Sequence, residues 1–203
     1  MAIRRIAGFT ILFLFLICTK SSAQLVPGLP DSLQNPPQRD TTYFKSLLKY
    51  AEKILVTDPQ KARKIQLKVA DAADSLNHQK LKATAFYGIG LAYSISGEPG
   101  ASTIWVDSAR TFFLEMGDSL AYYNCIFVRA ANMEHLGFYQ RCIEDNKTVL
   151  AYYRRSDNLD NIARTTINIG NLFFYQDRFA EALVYYKEAL NAGQKVDSKM
   201  VQS

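Results

Sequence analysis

The sequence matches itself when it is shifted by 40 residues. Gly90, Ala130 and Gly170 stand at this spacing, and small, turn-forming or aromatic residues recur in three further series. The further series are Gly97, Gly137 and Asp177; Pro59, Pro99, Tyr139 and Phe179; and Ala62, Ser102, Cys142 and Ala182. A fixed period of roughly 20 to 50 residues is typical of arrays in which one supersecondary unit recurs. The period therefore restricts this chain to a repeat architecture.

Helix-compatible stretches alternate with turns in the same register. Pro59 and Pro99 fit the first turn of a helix, where a missing N–H removes no hydrogen bond. One hairpin cannot bury both of its faces, so neighbouring hairpins must stack. We predict an all-α fold, a right-handed α-solenoid of four antiparallel helix hairpins. The predicted helices cover about 44–56, 59–76, 80–96, 99–116, 119–135, 138–155, 159–176 and 179–195, in units near 43–82, 83–122, 123–162 and 163–198.

The small residues have a physical reason to recur. Where two antiparallel helices cross, only Gly, Ala, Ser or Cys allows the axes to approach to about 8 Å. In the last unit we expect Gly170 and Ala182 to form this contact, with Phe173 and Tyr186 filling the space beside it.

The stretch from Ala163 to Ala189 resembles a tetratricopeptide repeat. Its Ile169-Gly170, Phe173, Asp177-Arg178-Phe179, Ala182, Tyr186 and Ala189 stand where that family has Leu-Gly, Tyr, Gly-x-Tyr, Ala, Phe and Ala. The two middle units keep the pattern in part, through Ile89, Gly90, Tyr93, Gly97 and Ala109, and through Ala130, Gly137, Phe138, Tyr139 and Cys142. The first unit keeps the least, namely Asp58, Pro59, Ala62 and Val69.

Two features depart from the family pattern. The period exceeds the usual length of about 34 residues, which resembles the long-helix variant found in exported bacterial sensor proteins. Asn146 stands where the family has an aromatic residue on the second helix.

The resemblance implies a binding surface on the concave face, which the first helix of each hairpin lines. We expect a protein or peptide partner there, docking apolar side chains on Phe127, Phe174 and Tyr175. Alternatively, these aromatic residues only pack against adjacent first helices. Members of the family have a clamp of polar residues that binds a C-terminal carboxylate. In this sequence only Asn171, with Arg164 and Asn168, resembles part of that clamp. The inward-facing positions are Tyr87, Leu91, Ile95, Phe127, Ala131, Glu134, His135, Arg164, Ile167, Asn171, Phe174 and Tyr175.

The N-terminus has the layout of a secretory signal peptide. Arg4 and Arg5 precede an apolar run from Ile6 to Cys18. This run is shorter than the roughly 20 residues that span a bilayer, so we expect cleavage after Ala23 and a periplasmic or secreted protein, with an uncleaved anchor as the alternative. Ile17 stands where a lipoprotein signal needs a small residue, so lipid attachment is not expected.

Residues 24–42 carry four of the six prolines and little apolar periodicity. We predict a flexible, proline-rich linker between the signal peptide at 1–23 and the folded array at 43–198.

The charge of the exported chain argues against a nucleic-acid partner. Cleavage after Ala23 removes three basic residues and no acidic ones, so the formal charge of +5 becomes +2. A nearly neutral protein offers no electrostatic basis for binding phosphates.

Two cysteines, Cys125 and Cys142, remain in the exported chain. In the repeat register they lie near opposite ends of one hairpin, whereas a disulfide needs Cα atoms within about 7 Å. We therefore predict two separate, buried thiols.

No motif in the sequence assembles a catalytic or metal site. Gly88-Ile89-Gly90 lacks the third glycine and the preceding strand of a phosphate-binding loop. Glu134-His135 lacks the second histidine of a zinc site, and Tyr186-Lys187 lacks a reductase's serine. We expect no enzymatic activity, no cofactor and no metal.

The C-terminal hairpin is expected to leave its stacking face uncovered, because no capping helix follows it. Residues 199–203 would begin a further helix of a truncated or missing unit. Two alternatives stay open. Either the array self-associates through this face, or the chain is the extracytoplasmic sensor part of a longer signal-transduction protein with a histidine kinase or DNA-binding output.

Overall fold

The computed structural model describes residues 27–34 and 38–201, with the backbone alone for 197–201. The predicted signal peptide at 1–23 lies outside the described residues. Within these ranges the regular elements are helices. In chain order they are α1 (Asp31–Gln34), α2 (Thr41–Ile54), α3 (Pro59–Ser75), α4 (Gln79–Ile95), α5 (Pro99–Glu115), α6 (Ser119–His135), α7 (Tyr139–Arg155), α8 (Leu159–Phe174) and α9 (Phe179–Val201).

Helices α2 to α9 pair in sequence into four hairpins, and each hairpin packs against the next. The first helices of the hairpins come together on one side, where α4 contacts both α2 and α6. We call the surface formed by α2, α4, α6 and α8 the first-helix face. The prediction of an all-α solenoid built from four hairpins is confirmed.

A residue with a left-handed backbone ends a helix every 20 residues, which is half the sequence period. At one such turn, Gly97 has φ 75° and the N–H of Glu98 donates to the Tyr93 carbonyl at 2.9 Å. Glycine adopts this backbone without steric cost, and Asn and Asp at a modest one. The common cap keeps successive helices in the same register. The series is Asn77, Gly97, Gly117, Gly137, Asp157 and Asp177.

The predicted close crossing of hairpin helices is present at Gly90. A Cβ atom at this position would lie 2.5 Å from Val106 Cγ2 and 3.3 Å from the Ser102 carbonyl oxygen. The Val106 side chain, together with the nearby backbone of α5, therefore occupies the space that a side chain on α4 would need. In the last hairpin the equivalent space at Gly170 is filled by the Tyr186 ring, whose Cε1 would lie 2.5 Å from an added Cβ.

One fully buried amide joins the second and third hairpins. Asn132 on α6 accepts a hydrogen bond from Ser94 Oγ on α4 at 3.0 Å. Its Nδ2 donates to Ser102 Oγ on α5 at 2.8 Å. Because buried polar groups require partners, this bridge fixes α6 against the preceding hairpin.

Most of the predicted repeat positions lie where the pattern places them. Phe179 differs: it is 55% exposed and packs its ring against Phe174, with centroids 5.3 Å apart. It begins α9, so it projects from the turn and not into the hairpin. Tyr93 and Tyr186 are half-buried, and Gly137 occupies a left-handed turn. The buried positions are Gly90, Ala130, Cys142, Gly170, Phe173, Ala182 and Ala189.

Part of the range predicted to be a linker packs against the first hairpin. Leu29 is 4% exposed, and the Gly28 carbonyl accepts from Lys61 Nζ at 2.7 Å. Tyr43 OH donates to the Leu33 carbonyl at 3.2 Å. The segment covers apolar surface at the outer side of the first hairpin, a contact that proline content does not reveal.

The last helix continues through Val201 without a break. It therefore passes the predicted unit boundary at 198, and residues 199–201 belong to α9 and not to a further helix. Leu183, Val184 and Leu190 on this helix are 51%, 64% and 63% exposed. The last hairpin thus presents apolar side chains on the surface of α9.

We predict that Gly90→Ala lowers the free energy of unfolding by about 1–2 kcal/mol. Overpacking against α5 costs about 1–3 kcal/mol, which the better helix propensity of alanine offsets in part. The matched control is Gly193→Ala in α9, where an added Cβ meets no atom within 4 Å. The control should be neutral or raise stability by up to about 1 kcal/mol. Urea denaturation measures both, and equal midpoints would contradict the close crossing.

Candidate functional site

A cavity of about 390 Å³ opens between α4, α6 and α8 on the first-helix face. Half-buried side chains from three hairpins converge on it, and α7 contributes one tyrosine from behind. We call it the central cavity. Its lining consists of Tyr87, Leu91, Ser94, Asn124, Phe127, Val128, Ala131, Tyr153, Asn161 and Arg164.

The two tyrosines of the central cavity are neutral hydrogen-bonding groups. Burial raises the pKa of the Tyr87 phenol above its ordinary value, and Cys125 and Tyr153 add to the rise while Arg164 opposes it. Burial also raises the pKa of Tyr153, to about 12. Tyr153 OH donates to Asn124 Oδ1 at 2.6 Å. Both hydroxyls therefore keep their protons at neutral pH and can pair with an uncharged ligand group.

Arg164 brings the positive charge of this cavity. Its guanidinium lies 5.6 Å from the centroid of the Phe127 ring, within the range of a cation–π contact. The Phe127 ring positions the exposed guanidinium beside the cavity, so a bound ligand would contact apolar side chains next to a cation. Such a lining can bind an apolar group next to a carboxylate, a carbonyl or a hydroxyl.

The structure brings together only part of the predicted binding surface. Tyr87, Leu91, Phe127, Ala131 and Arg164 share the central cavity. The other predicted positions, Ile95, Glu134, His135, Ile167, Asn171, Phe174 and Tyr175, lie outside its lining.

Several of these outlying residues have their own local partners. Asn171 Oδ1 accepts from Tyr186 OH at 2.8 Å, so this amide braces the last hairpin. Phe174 and Tyr175 lie at the end of α8 and contact each other edge to face. The Glu134 carboxyl is partly enclosed by the protein, and this burial raises its pKa.

Sequence reasoning missed Ser94, Asn124, Val128, Tyr153 and Asn161. Asn124 stands 40 residues before Arg164 and could have been found by extending the register. Tyr153 lies on a second helix, and in the family pattern second helices support the binding face without lining it. Nothing in the sequence indicates that Tyr153 lines the cavity.

A second and larger cavity, of about 640 Å³, lies between α2 and α4. We call it the N-terminal cavity. Tyr87 and Leu91 line both cavities, so the two adjoin on the first-helix face. The other lining residues are Lys45, Leu48, Lys49, Glu52, Leu55, Gln66, His78, Lys80, Leu81, Thr84 and Gly88. The first unit keeps least of the repeat pattern, which is why no binding residue was predicted there.

The described residues contain no group of three or more His, Cys, Asp or Glu side chains arranged to hold a metal ion. Nor does any helix in this part of the chain combine the length and the apolar character needed to cross a bilayer.

The two thiols are separate, as predicted. Cys125 and Cys142 are both free and buried. Burial raises the pKa of each to about 12. Cys142 Sγ donates to the Ala130 carbonyl at 3.0 Å, so the thiol serves as a small residue at the crossing of α6 and α7.

Comparison with known proteins identifies the repeat. A family model described as tetratricopeptide repeat matches residues 122–195, which confirms the predicted resemblance over that range. The chain is similar to the solved structure of the apo form of RapI, with a TM-score of 0.53 and 13% identity over 77% of this chain and 70% of that one. It is also similar to MamA, with a TM-score of 0.49 and 17% identity over 77% of this chain and 92% of that one. No curated protein sequence matches.

We predict that Cys125 and Cys142 resist alkylation in the folded protein. Because burial raises both pKa values to about 12, the reactive thiolate is scarce at pH 8 and the reagent has little access. Labelling with N-ethylmaleimide, mapped to each cysteine by mass spectrometry, should be at least about tenfold slower than in urea. Rapid labelling of either residue in the folded state would contradict this assignment.

Proposed function

We propose, from the match of residues 122–195 to the tetratricopeptide repeat model, that the chain is a non-enzymatic scaffold that binds a peptide segment of a partner protein. The proposed site is the central cavity. The observation that carries the proposal is the convergence of Tyr87, Phe127 and Arg164 from three successive hairpins on one open cavity.

The composition of the cavity fits a peptide better than a purely apolar ligand. Leu91, Phe127 and Val128 can enclose an apolar side chain. Asn124 and Asn161 can donate to or accept from the amide groups of a peptide backbone. A few polar groups set in an apolar lining are typical of ligand pockets, where the polar groups determine orientation.

Arg164 adds a preference for negative charge. The guanidinium is exposed and lies against Phe127, so it can pair with a carboxylate while keeping its aromatic contact. The preferred segment therefore carries an apolar residue next to an acidic one.

We place this function in the cell envelope. The arginines Arg4 and Arg5, the apolar run from Ile6 to Cys18 and the small residue Ala23 support export. Such a protein would meet its partner outside the cytoplasm.

An alternative function is signal reception by the extracytoplasmic part of a longer sensor protein. The exposed side chains of Leu183, Val184 and Leu190 on α9 favour it, because a further hairpin can stack on this face. Self-association through the same face is the other use of this surface.

Binding can be tested with peptides selected on the full chain from a random displayed library. Phe127→Ala should weaken a selected peptide by about tenfold or more, since a central aromatic contact is lost. Phe138→Ala is the matched control, because Phe138 is 57% exposed and lies outside the central cavity. Isothermal titration calorimetry measures the affinities. Equal affinities for Phe127→Ala and the unaltered protein would contradict binding in this cavity.

Export can be tested by expressing the chain with a C-terminal tag in a bacterium. The protein recovered from the periplasm or medium should begin at Gln24, as read by intact mass, because the signal is expected to be cleaved after Ala23. Replacing the apolar Leu14 with Arg should leave the full-length chain in the cytoplasm. Recovery of the unaltered chain with Met1 intact and in the cytoplasm would contradict the proposed location.

A further inference from the structure

The N-terminal cavity contains a buried polar side chain that has no partner. Gln66 on α3 is 3% exposed and is one of the residues that line this cavity. Its Oε1 atom accepts no hydrogen bond. An unpaired buried acceptor costs free energy, and a leucine of similar size would avoid that cost. The first hairpin therefore carries a buried amide whose oxygen is not satisfied by any contact among the described residues.

The surroundings of Gln66 make room for its amide. Gly88 on α4 faces it directly: an added Cβ would lie 2.7 Å from the Gln66 Cδ atom and would overlap its amide nitrogen. In the second hairpin the residue at the same register position is Val106, which packs against Gly90. At this register position the first hairpin thus has an amide that faces a glycine, whereas the second hairpin has the apolar side chain of Val106.

The walls and rim of the cavity define the rest of its chemistry. Leu48, Leu55, Leu81 and Leu91 give it apolar walls. Its volume of about 640 Å³ lies in the range of ligand pockets.

The rim of the cavity is predominantly positive. Lys45 and Lys49 lie one helical turn apart on α2, and both are exposed. Lys80, which is also at the rim, donates to Asp118 at 2.9 Å. Glu52 is the one carboxylate among the described lining residues. The excess positive charge on α2 favours an occupant with negative charge.

His78 adds a directed donor to the lining. The backbone N–H of Leu81 donates to His78 Nδ1 at 3.1 Å, so this ring nitrogen is unprotonated and the proton of the neutral ring is on Nε2. A lining imidazole with a free Nε2–H can donate to a carbonyl oxygen of a ligand.

We propose that the N-terminal cavity recognises an internal acidic stretch of a peptide, with Gln66 Nε2 donating to a backbone carbonyl and Lys45 and Lys49 facing a carboxylate. The carboxamide nitrogen offers donors that match the C=O of a peptide unit. An apolar side chain of the peptide enters between the leucines. This inference rests on the proposed function, because Tyr87 and Leu91 join the two cavities along one path for an extended chain.

The probe is the blocked peptide acetyl-Leu-Glu-Leu-amide, which has no terminal charge, with acetyl-Leu-Lys-Leu-amide as its charge-reversed counterpart. The full chain, labelled with nitrogen-15, is titrated and followed by NMR. The acidic peptide should shift the side-chain amide resonances of Gln66 and the backbone resonance of Gly88. The lysine peptide should bind severalfold more weakly. No shift at Gln66, or equal binding of both peptides, would overturn the proposal.

Gln66→Leu separates recognition from folding. Because the substitution removes an unpaired acceptor, the urea midpoint should stay the same or rise, while the affinity for the acidic peptide should fall by about tenfold. Asn146→Leu is the matched control: Asn146 stands at the same register position, also has an unpaired buried oxygen, and lines neither cavity. It should bind as the unaltered protein does. Unchanged affinity in Gln66→Leu would overturn the role of the amide.

Lys45→Ala combined with Lys49→Ala gives a second readout that does not depend on the core. Both side chains are exposed, so the variant should fold normally and lose preference for the acidic peptide over the lysine peptide. Retained preference would overturn the charge assignment.

If Phe127→Ala abolishes binding of library peptides while Gln66→Leu does not alter it, this inference fails and the proposed function stands. If Gln66→Leu weakens peptide binding while Phe127→Ala does not, the central cavity is not the binding site and this inference stands.

Discussion

The close crossing of the two helices within a hairpin is the contact on which the rest of the array depends. At Gly90 the backbone of α5 lies so near that even a methyl group would overlap Val106. Helices that approach this closely exclude water from their interface and leave their outer surfaces to pack on the next hairpin. The stacking of hairpins, and with it the first-helix face, follows from that approach.

The residue at the register position of Val106 on the second helix makes a different contact in every hairpin. Val106 gives an apolar contact, and Tyr186 fills the space at Gly170 and donates to Asn171. Asn146, which replaces an expected aromatic residue, is buried and donates to the Cys142 carbonyl at 2.9 Å. Gln66 alone lines the N-terminal cavity. One structural position therefore serves packing in three hairpins and faces an open cavity in the first.

Much of the fold could be predicted from the sequence, because its signals are local. A left-handed turn such as Gly97 requires glycine or a tolerant polar residue, and a buried crossing such as Gly170 requires a small one. Both requirements can be recognised from the residue types of a single sequence. The predicted binding surface was less complete. Tyr87, Phe127 and Arg164 meet in the central cavity, whereas Phe174 lies outside it, since the end of α8 has its own contacts with Phe179.

By itself the sequence determined the period, the helices, the turns and the separation of the two thiols, since each depends on residues that are near one another along the chain or in the repeat. Only the tertiary structure decided which side chains share a cavity. Gln66 and Lys49 lie on different helices, and the space between α2 and α4 exists only once two hairpins have stacked. Likewise, the docking of Leu29 on the first hairpin depends on apolar surface that stacking leaves uncovered. A repeat pattern records which positions must be small or apolar, but not the shape of the space left between them.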